Sequence, residues 1–558
     1  MVDEETLRGK VWKVIEAVQR EKVFLHSKTL TVRAYGRERR IPLVSGLAIL
    51  NAIVGNGSML LYGGYGYGKT TFLKYLGRMM TGTPVDEIEA SILRSNPQLT
   101  EEKIVARLHL GRLISEGEEV VIWRRFVRSF WKIVDEINRL SPGAQDAILS
   151  LLGEGIAKYF DAVYAVRRYV LYATLNPRDV GTFPLGMPLL DRFGIAIIVE
   201  APTLDDAIDI TELPDDKMLR RAIPAILDVR ELVASWGYVE TMKLSEEAKL
   251  FISTLVKELS LCDRVRKETG VFLSIGPKLC AGCQFEALGS PCRMTLTPLS
   301  IRAQRDLVRY SKALAWLLGL DEVTLDVVVA IAPYVIWHRL KYPDKYLERK
   351  HHNRFEVARE IVRIVLNNFL QRYPLIRAFE NIRRGSVDPK LVEAIRRAAK
   401  GDLVIKHEIL PQLDDLLDEK YLAHAKRLLS AIEERDRRAL MLILEEAKKS
   451  MSPSQYNSLL RTYRRLVGEH RKRITVPFAV WSKVASRLSE IFQSAEIPTT
   501  LDPPRAVRVE LETEWFEIYT ISEDAPVFIL IYSLWDDLER KINSILGPSD
   551  DRSEGKAH

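Results

Sequence analysis

The sequence predicts an α/β domain in which helices cover both faces of a parallel sheet, followed by a helical lid and a mainly helical C-terminal region with a small strand-containing tail. Three observations support this prediction. Short apolar segments alternate with helical patterns up to about residue 200. From Ala201-Pro202 onward the pattern is mostly helical, up to about Thr500. A proline-rich link at 497–505 then precedes segments with alternating polarity.

The first part of the chain contains four apolar segments that we predict to be buried strands. They are Met59–Tyr62, Phe130–Val134, Tyr169–Ala173 and Gly194–Glu200. Helical spacing occurs within residues 1–22 and from Lys69 to Met80. A further helix is predicted after Ser141-Pro142, because serine caps a helix and proline suits its first turn. Residues 84–118 look mostly helical, and 119–127 look extended.

Length indicates several domains. The chain has 558 residues, more than the roughly 250–300 that a single core supports. We predict four domains, namely an N-terminal helix and α/β core at 1–202, a helical lid at 203–340 with a cysteine-rich insertion at about 258–296, a helical domain at 341–500 and a small α/β tail at 501–558.

Composition predicts a cytoplasmic protein without a membrane span. Hydrophobic residues make up 47% of the chain and charged residues 28%, which is an ordinary globular balance. The longest apolar stretches, such as Gly194–Val199 and Val527–Leu534, are far shorter than the ~20 residues that a bilayer requires. The acidic, polar N-terminus does not fit a signal peptide. A net charge of +7 permits nucleic-acid binding without requiring it.

A glycine-rich turn between a predicted strand and a predicted helix matches a phosphate-binding loop in full. Residues 63–70 read GGYGYGKT, which fits G-x-x-x-x-G-K-[ST]. In such a loop the backbone N–H groups and the positive end of the following helix attract phosphates. Lys69 would reach the β- and γ-phosphates, and Thr70 would offer its hydroxyl to Mg²⁺. The predicted residues that bind ATP and Mg²⁺ are Gly63, Gly64, Gly66, Gly68, Lys69, Thr70, Thr71 and Asp135.

Polar residues end two of the predicted strands. Asp135 and Glu136 follow an apolar segment, at the strand edge where open α/β sheets bind ligands. Asp135 can hold the Mg²⁺ shell, and Glu136 is placed to orient or deprotonate an attacking water. Asn176 ends the next strand, where its amide can hold that water. Without a nucleotide site, the acidic pair would be solvated surface residues and Asn176 a turn residue before proline.

Three segments resemble the MoxR branch of the AAA+ ATPases. They are VDEINRLSPGAQDAILSLLGEG at 134–155, ATLNPRDVGTFPLGMPLLDRF at 173–193 and the segment at 299–340 that begins LSIRAQRDLVRY. This branch is related to magnesium chelatase ATPase subunits and, distantly, to the minichromosome-maintenance helicases. The resemblance covers about 59–340 and implies ATP hydrolysis.

The resemblance implies a role for each residue around the phosphate site. In the chain's own site these are the Walker A residues Lys69 and Thr70, the Walker B residues Asp135 and Glu136, and the sensor 1 residue Asn176. Arg192 resembles the arginine finger that enters a neighbouring subunit's site, and Arg302 resembles sensor 2 on the lid. A finger in trans requires a closed ring of subunits, so we expect a homo-hexamer.

The sequence departs from the family pattern at two places. The phosphate loop has Tyr65 and Gly68 where proline and alanine are common. The segment around Arg302 reads Leu-Ser-Ile-Arg where the family prefers Gly-Ser-Pro-Arg.

All four cysteines lie within one short window, which indicates that they act together. They are Cys262, Cys280, Cys283 and Cys292. Four thiolates fit tetrahedral zinc, and alternatively a [4Fe-4S] cluster. The same window also allows four buried cysteines without a metal, or a disulfide pair. Either metal would be structural and would clip a loop within the lid.

Three hypotheses for function follow from these observations. The first is a ring that hydrolyses ATP to remodel a protein client, such as a separate partner with a von Willebrand A domain. The second is a DNA- or RNA-dependent motor, favoured by basic residues at 435–438 and 461–473, which otherwise form a solvated helix face. The third is a scaffold with a vestigial ATPase, against which the intact catalytic set argues.

Overall fold

The structure, a computed structural model, describes residues 3–177, 181–212, 223–260, 290–492, 497, 505–520 and 526–546. The chain forms two compact units, residues 2–367 and residues 368–558. The division falls within the long helix Arg354–Arg383.

A five-stranded sheet forms the centre of the first unit. Its strands are β1 (Ser58–Gly63), β2 (Leu93–Arg94), β3 (Trp131–Asp135), β4 (Val170–Leu175) and β5 (Ile195–Val199). All neighbours are parallel, in the order β5-β1-β4-β3-β2. Every residue of β4 is buried, as expected for a parallel strand covered on both faces. The four predicted apolar strands are therefore confirmed, and β2 is an addition at the sheet edge.

Helices surround this sheet and continue into the lid. Those of the first unit are Glu4–Arg20, Leu43–Ala52, Lys69–Thr81, Val85–Ser91, Glu101–Val105, Leu110–Glu116, Arg125–Arg128, Pro142–Glu154, Met187–Leu190, Leu204–Thr211, Val229–Glu240, Glu246–Ser260, Ile301–Leu317, Leu325–Ile336 and Asp344–Glu348. Ser141 caps the helix that begins at Pro142, as its sequence predicts. No described helix is both long and apolar enough to cross a membrane.

Four small strand pairs complete the first unit. They are the antiparallel pairs Thr29–Ala34 with Arg37–Pro42, Ala106–Leu108 with Val121–Trp123, and Ile156–Tyr159 with Ala162–Ala165, and the parallel pair Lys243–Leu244 with Glu322–Val323. The segment 84–118, predicted to be mostly helical, thus also contains strands.

The second unit combines helices with a four-stranded antiparallel sheet. Its strands follow the order Arg471–Val476, Val527–Tyr532, Trp515–Thr520 and Arg505–Glu510. Its helices are Pro389–Ala398, Leu410–Leu416, Glu419–Glu433, Arg437–Ser450, Pro453–Glu469, Phe478–Ile491 and Asp536–Leu546, with a short π-helix at Ile405–Ile409.

One strand of this sheet comes from the segment that was expected to be helical. Residues 341–500 were expected to be helical, but Arg471–Val476 is a strand that pairs with Val527–Tyr532 of the expected tail. Apolar side chains such as Val476 and Ile529 from both strands share one core. The sheet therefore crosses the expected boundary near residue 500, because neither segment covers that core alone.

Candidate nucleotide site

The phosphate loop joins the end of β1 to the start of the helix Lys69–Thr81. Gly66 and Gly68 have φ angles of 73° and 70°, in the left-handed region that favours glycine. A Cβ added at Gly63 would lie 2.7 Å from the carbonyl oxygen of Val199. The glycines therefore permit a tight turn whose backbone leads directly into a helix N-terminus, which is the geometry that binds phosphate.

The Lys69 side chain folds back over the loop. Its ammonium donates to the carbonyl oxygens of Gly63 at 2.8 Å and Gly64 at 2.7 Å. Burial lowers the pKa of Lys69, and the negative charges of Asp135 and Glu136 oppose that shift. The lysine is thus held beside the loop by carbonyl groups that a phosphate could replace.

A cluster of three side chains joins the phosphate loop to β3 and β4. The Thr70 hydroxyl donates to Oδ1 of Asp135 at 2.6 Å, and the Thr174 hydroxyl donates to the same oxygen at 2.8 Å. The hydroxyl and carboxylate oxygens of Thr70 and Asp135 are the ligand type that Mg²⁺ prefers. Thr174 was missed by the sequence prediction, although its position two residues before Asn176 on a neighbouring strand could have indicated it.

Glu136 occupies an unusual backbone conformation at the end of β3. Its φ angle is 53°, which is uncommon for a residue other than glycine and is often found at functional sites. Its backbone N–H donates to Thr174 Oγ1 at 2.9 Å. The Glu136 carboxylate lies 3.0 Å from Nε of Arg139. The cluster therefore fixes the backbone of Glu136, while an arginine holds its side chain.

Asn176 lies beside this cluster. It follows the end of β4 and is buried, with 3% of its surface exposed. The Asn138 side chain donates to its carbonyl oxygen at 2.9 Å. Thr71 lies half-buried in the first turn of the phosphate-loop helix. The structure therefore gathers the predicted Walker A, Walker B and sensor 1 residues at the carboxyl ends of β1, β3 and β4.

Arg192 lies at the opposite edge of the sheet. Its carbonyl oxygen accepts from the Ser58 hydroxyl at 3.1 Å, and Ser58 is the first residue of β1. The phosphate loop begins at the other end of that strand, about 16 Å away at ~3.3 Å per residue. An arginine side chain does not span this distance, so Arg192 cannot contact a phosphate held by its own loop.

The Arg192 guanidinium is held close to the end of the helix Pro142–Glu154. Nη1 donates to the carbonyl oxygen of Pro188 at 3.2 Å. Burial lowers the pKa of Arg192, and the neighbouring Arg302 adds to this effect. A Cβ added at Gly153 would lie 2.4 Å from Nε of Arg192, so the absence of a side chain there makes room for the guanidinium.

Arg302 shares this amino edge. It lies in the first turn of the helix Ile301–Leu317, and its Nη1 is 3.5 Å from Oδ2 of Asp191. Ser300, which caps that helix, donates to Oδ1 of the same aspartate at 2.6 Å. The structure thus brings the two predicted arginines together and separates both from the chain's own phosphate loop.

The predicted cysteine site lies mostly outside the described residues. Cys262, Cys280 and Cys283 are not described, whereas Cys292 is buried in the turn Pro291–Met294. Across the described ranges, no group of three or more His, Cys, Asp or Glu side chains is arranged to hold a metal. The four-cysteine site therefore stays a prediction.

Four cations in the basic stretches of the second unit are ion-paired. The pairs are Arg437 with Glu514 at 2.8 Å, Arg464 with Glu510 at 3.7 Å, Arg465 with Glu380 at 2.7 Å and Lys472 with Asp536 at 2.9 Å. Neighbouring carboxylates thus neutralise much of the charge that a phosphate backbone would need.

Comparison with known proteins agrees with this geometry. Residues 58–193 match the AAA domain of the dynein-related subfamily, and residues 295–362 match an AAA lid domain. Protein MoxR of Paracoccus denitrificans is 25% identical over 335 residues, which is 57% of this chain and 88% of that protein. Protein MoxR of Methylorubrum extorquens is 23% identical over 59% of this chain and 89% of that protein. The magnesium-chelatase 38 kDa subunit of Acidiphilium rubrum is 27% identical over 43% of this chain and 62% of that protein.

The phosphate loop, the acidic strand end and the lid define a P-loop ATPase of the AAA+ class. Within this class the chain is a MoxR-like AAA+ ATPase, and its enzymatic activity is ATP hydrolysis.

Proposed function

We propose that this chain assembles into a homo-hexameric ring, binds ATP between neighbouring subunits and uses hydrolysis to remodel a protein client. The observation that carries the proposal is the separation of the two halves of the site. Lys69, Asp135 and Glu136 lie at the carboxyl edge of the sheet, and Arg192 and Arg302 lie at the amino edge. Each edge becomes complete only against the opposite edge of another copy, and heterologous contacts of this kind close into rings.

At the carboxyl edge, each residue has a role in the chain's own site. Lys69 would exchange its carbonyl partners for the β- and γ-phosphates, and the loop N–H groups would cradle them. Thr70 and Asp135 fit Mg²⁺, since their oxygens already converge at 2.6 Å, and bound Mg²⁺ would neutralise phosphate charge. Glu136 would accept a proton from the attacking water that Asn176 helps to orient.

At the amino edge, the arginines would act on the neighbouring subunit's nucleotide. Arg192 would neutralise charge that develops on the γ-phosphate, an effect worth about 10³–10⁵ in rate for arginine fingers in related enzymes. Because Arg302 shares Asp191 with the cap of its helix at this same edge, we assign Arg302 to the same trans site. Asp191 would orient both arginines towards the neighbour.

A protein client is favoured over DNA or RNA. Several cations of the basic stretches that suggested nucleic-acid binding, among them Arg437, Arg465 and Lys472, are paired with acidic residues. We therefore propose a separate protein partner, of which a von Willebrand A-type chain is one candidate, and a cytoplasmic location for the complex.

Sedimentation of the purified chain at several concentrations tests the ring. We expect hexamers with ATP, and turnover per subunit that rises with concentration as rings form. Turnover should not respond to single- or double-stranded DNA at low salt. Full turnover by a monomer would contradict the proposal. Stimulation of turnover by DNA that fades steeply with salt would favour the DNA- or RNA-dependent motor.

A further inference from the structure

A cleft of about 440 Å³ lies in the segment 84–128 between the phosphate loop and β3, which we name the insertion. Five cationic side chains line it, and we name it the basic cleft, comprising Lys103, Arg107, Arg124, Arg125 and Arg128. All five side chains are exposed. Its floor is apolar and includes Ile104 and Ile122.

The cations of the basic cleft have no acidic counterpart. Among the described residues that line it, none is Asp or Glu. No ion pair joins any of the five to a carboxylate in the part of the chain that the structure describes. Their neighbours in sequence differ, since Arg94 pairs with Glu89, and Arg112 lies 3.8 Å from Glu116. Five cations around one concave surface, with no carboxylate among its lining residues, give the cleft a positive potential.

A buried lysine fixes one wall of this cleft. Lys132, on β3, donates to the carbonyl oxygens of Phe126 at 2.6 Å and of Val127 and Ser129 at 2.7 Å each. These bonds hold the turn that carries Arg124, Arg125 and Arg128. The wall is therefore preorganised, and it is tied to the strand that ends in Asp135.

The surroundings of the cleft favour a short acidic peptide over a long polyphosphate. Exposed acidic residues at Glu101, Glu102 and Glu119 belong to the same insertion, so a nucleic-acid backbone extending past the cleft would meet like charge. The apolar floor offers nothing to a phosphate, but it suits aliphatic side chains between carboxylates. The half-buried Trp123 adds an aromatic surface to the lining.

We propose that the basic cleft binds a short segment of a protein client in which Asp and Glu alternate with aliphatic residues. This inference rests on the proposed function, because it names the chemistry of the client that the ring engages. Carboxylates pair with the five cations, and the aliphatic side chains contact the floor at Ile104 and Ile122.

Binding of a labelled peptide, measured by fluorescence anisotropy on the full chain, tests this inference. The probe is a short Asp/Leu peptide, compared with an Asn/Leu peptide, single-stranded DNA of similar length, and inorganic phosphate as competitor. Lys103→Glu and Arg107→Glu should each raise the Kd for the acidic peptide about tenfold, or about 1.4 kcal/mol. Lys13→Glu, an equal charge change on an exposed helix position outside the cleft, should leave the Kd unchanged.

Each contrary outcome would overturn the inference. Equal weakening by Lys13→Glu would mean that only net charge matters. Tighter binding of DNA, lost in the Lys103 and Arg107 variants, would assign the cleft to nucleic acid. Saturation by phosphate alone, with no peptide bound, would make it a small-anion site. ATP turnover without peptide should be unchanged in all variants. If an active ring does not bind the acidic peptide, this inference is wrong, whereas the proposed ring ATPase still stands.

Discussion

The carboxyl and amino edges of the central sheet differ in what they hold. At the carboxyl edge, Thr70, Asp135 and Thr174 form a partly buried network linked by hydrogen bonds of 2.6 and 2.8 Å. At the amino edge, Arg302 is half exposed and only 3.5 Å from Asp191. The first arrangement can bind nucleotide and position water, and the second can supply positive charge to a neighbour. One folded chain therefore carries two complementary half-sites.

The largest expected effect comes from breaking the carboxyl edge alone. Glu136→Gln should lower ATP turnover about 10³-fold, because the amide cannot accept a proton from water, while ATP binding stays within a few-fold of wild type. Single-turnover hydrolysis and nucleotide binding should be measured on the same sample. Normal turnover in this variant would remove Glu136 from the catalytic role.

Substitution of Gly153 should disturb the amino edge and leave the carboxyl edge unchanged. Gly153→Ala places a Cβ 2.4 Å from Nε of Arg192, so the guanidinium must move, and turnover should fall about tenfold or more with nucleotide affinity unchanged. Gly143→Ala is the matched control on the same helix, because its Cβ would meet nothing within 4 Å. If both alanines had the same effect, the position of Arg192 would not matter for turnover.

A smaller, indirect effect on ATP turnover is expected from substitution of Lys132 on β3, the strand that ends in Asp135. Lys132→Met should lower the free energy of unfolding by about 2–4 kcal/mol, because three buried carbonyl oxygens lose their donor. Chemical denaturation followed by tryptophan fluorescence provides the measurement. The ATP turnover of the folded variant should fall less than that of Glu136→Gln.

The same variant yields a pH dependence. Burial lowers the pKa of Lys132 from 10.5 to about 7, so between these values the folded state binds fewer protons than the unfolded chain, and its neutral amine can donate only two of the three hydrogen bonds. The stability of wild type relative to Lys132→Met should therefore rise from pH 7 towards pH 10. A flat difference across this window would show that the buried lysine stays protonated.

The smallest effect on turnover should come from the cysteine segment, because the metal predicted there is structural. Cys280→Ser should lower the zinc or iron content and the melting temperature together, since one of four predicted thiolate ligands is lost. Elemental analysis of wild type and variant provides the measurement. Equal metal content in both would remove the metal-site prediction.

The carboxyl edge could be predicted from sequence because its signals are local. The glycine loop, the apolar strand before Asp135 and the cap at Ser141 each lie within a few residues of the element they specify. Parallel strand packing then brings their ends together. The sequence alone could not show that Arg192 is separated from Lys69, because that distance depends on the register of β5 against β1.

Several further elements lacked a local signal. The hairpin Ile156–Tyr159 with Ala162–Ala165 is half exposed and short, so it has no continuous apolar run. The strand Arg471–Val476 begins with three cations, and its partner Val527–Tyr532 lies about fifty residues later. The basic cleft is likewise assembled from residues spread over 103–128, whose convergence requires the folded insertion.

Mixing two inactive variants tests the separation of the two edges most directly. Lys69→Ala lacks a working phosphate loop but keeps Arg192, and Arg192→Ala has the reverse defect. Each alone should be at least 10²-fold slower than wild type, and a mixture should regain turnover where an intact loop meets an intact arginine. A mixture that forms hexamers yet stays as inactive as its components would contradict an ATP site shared between subunits.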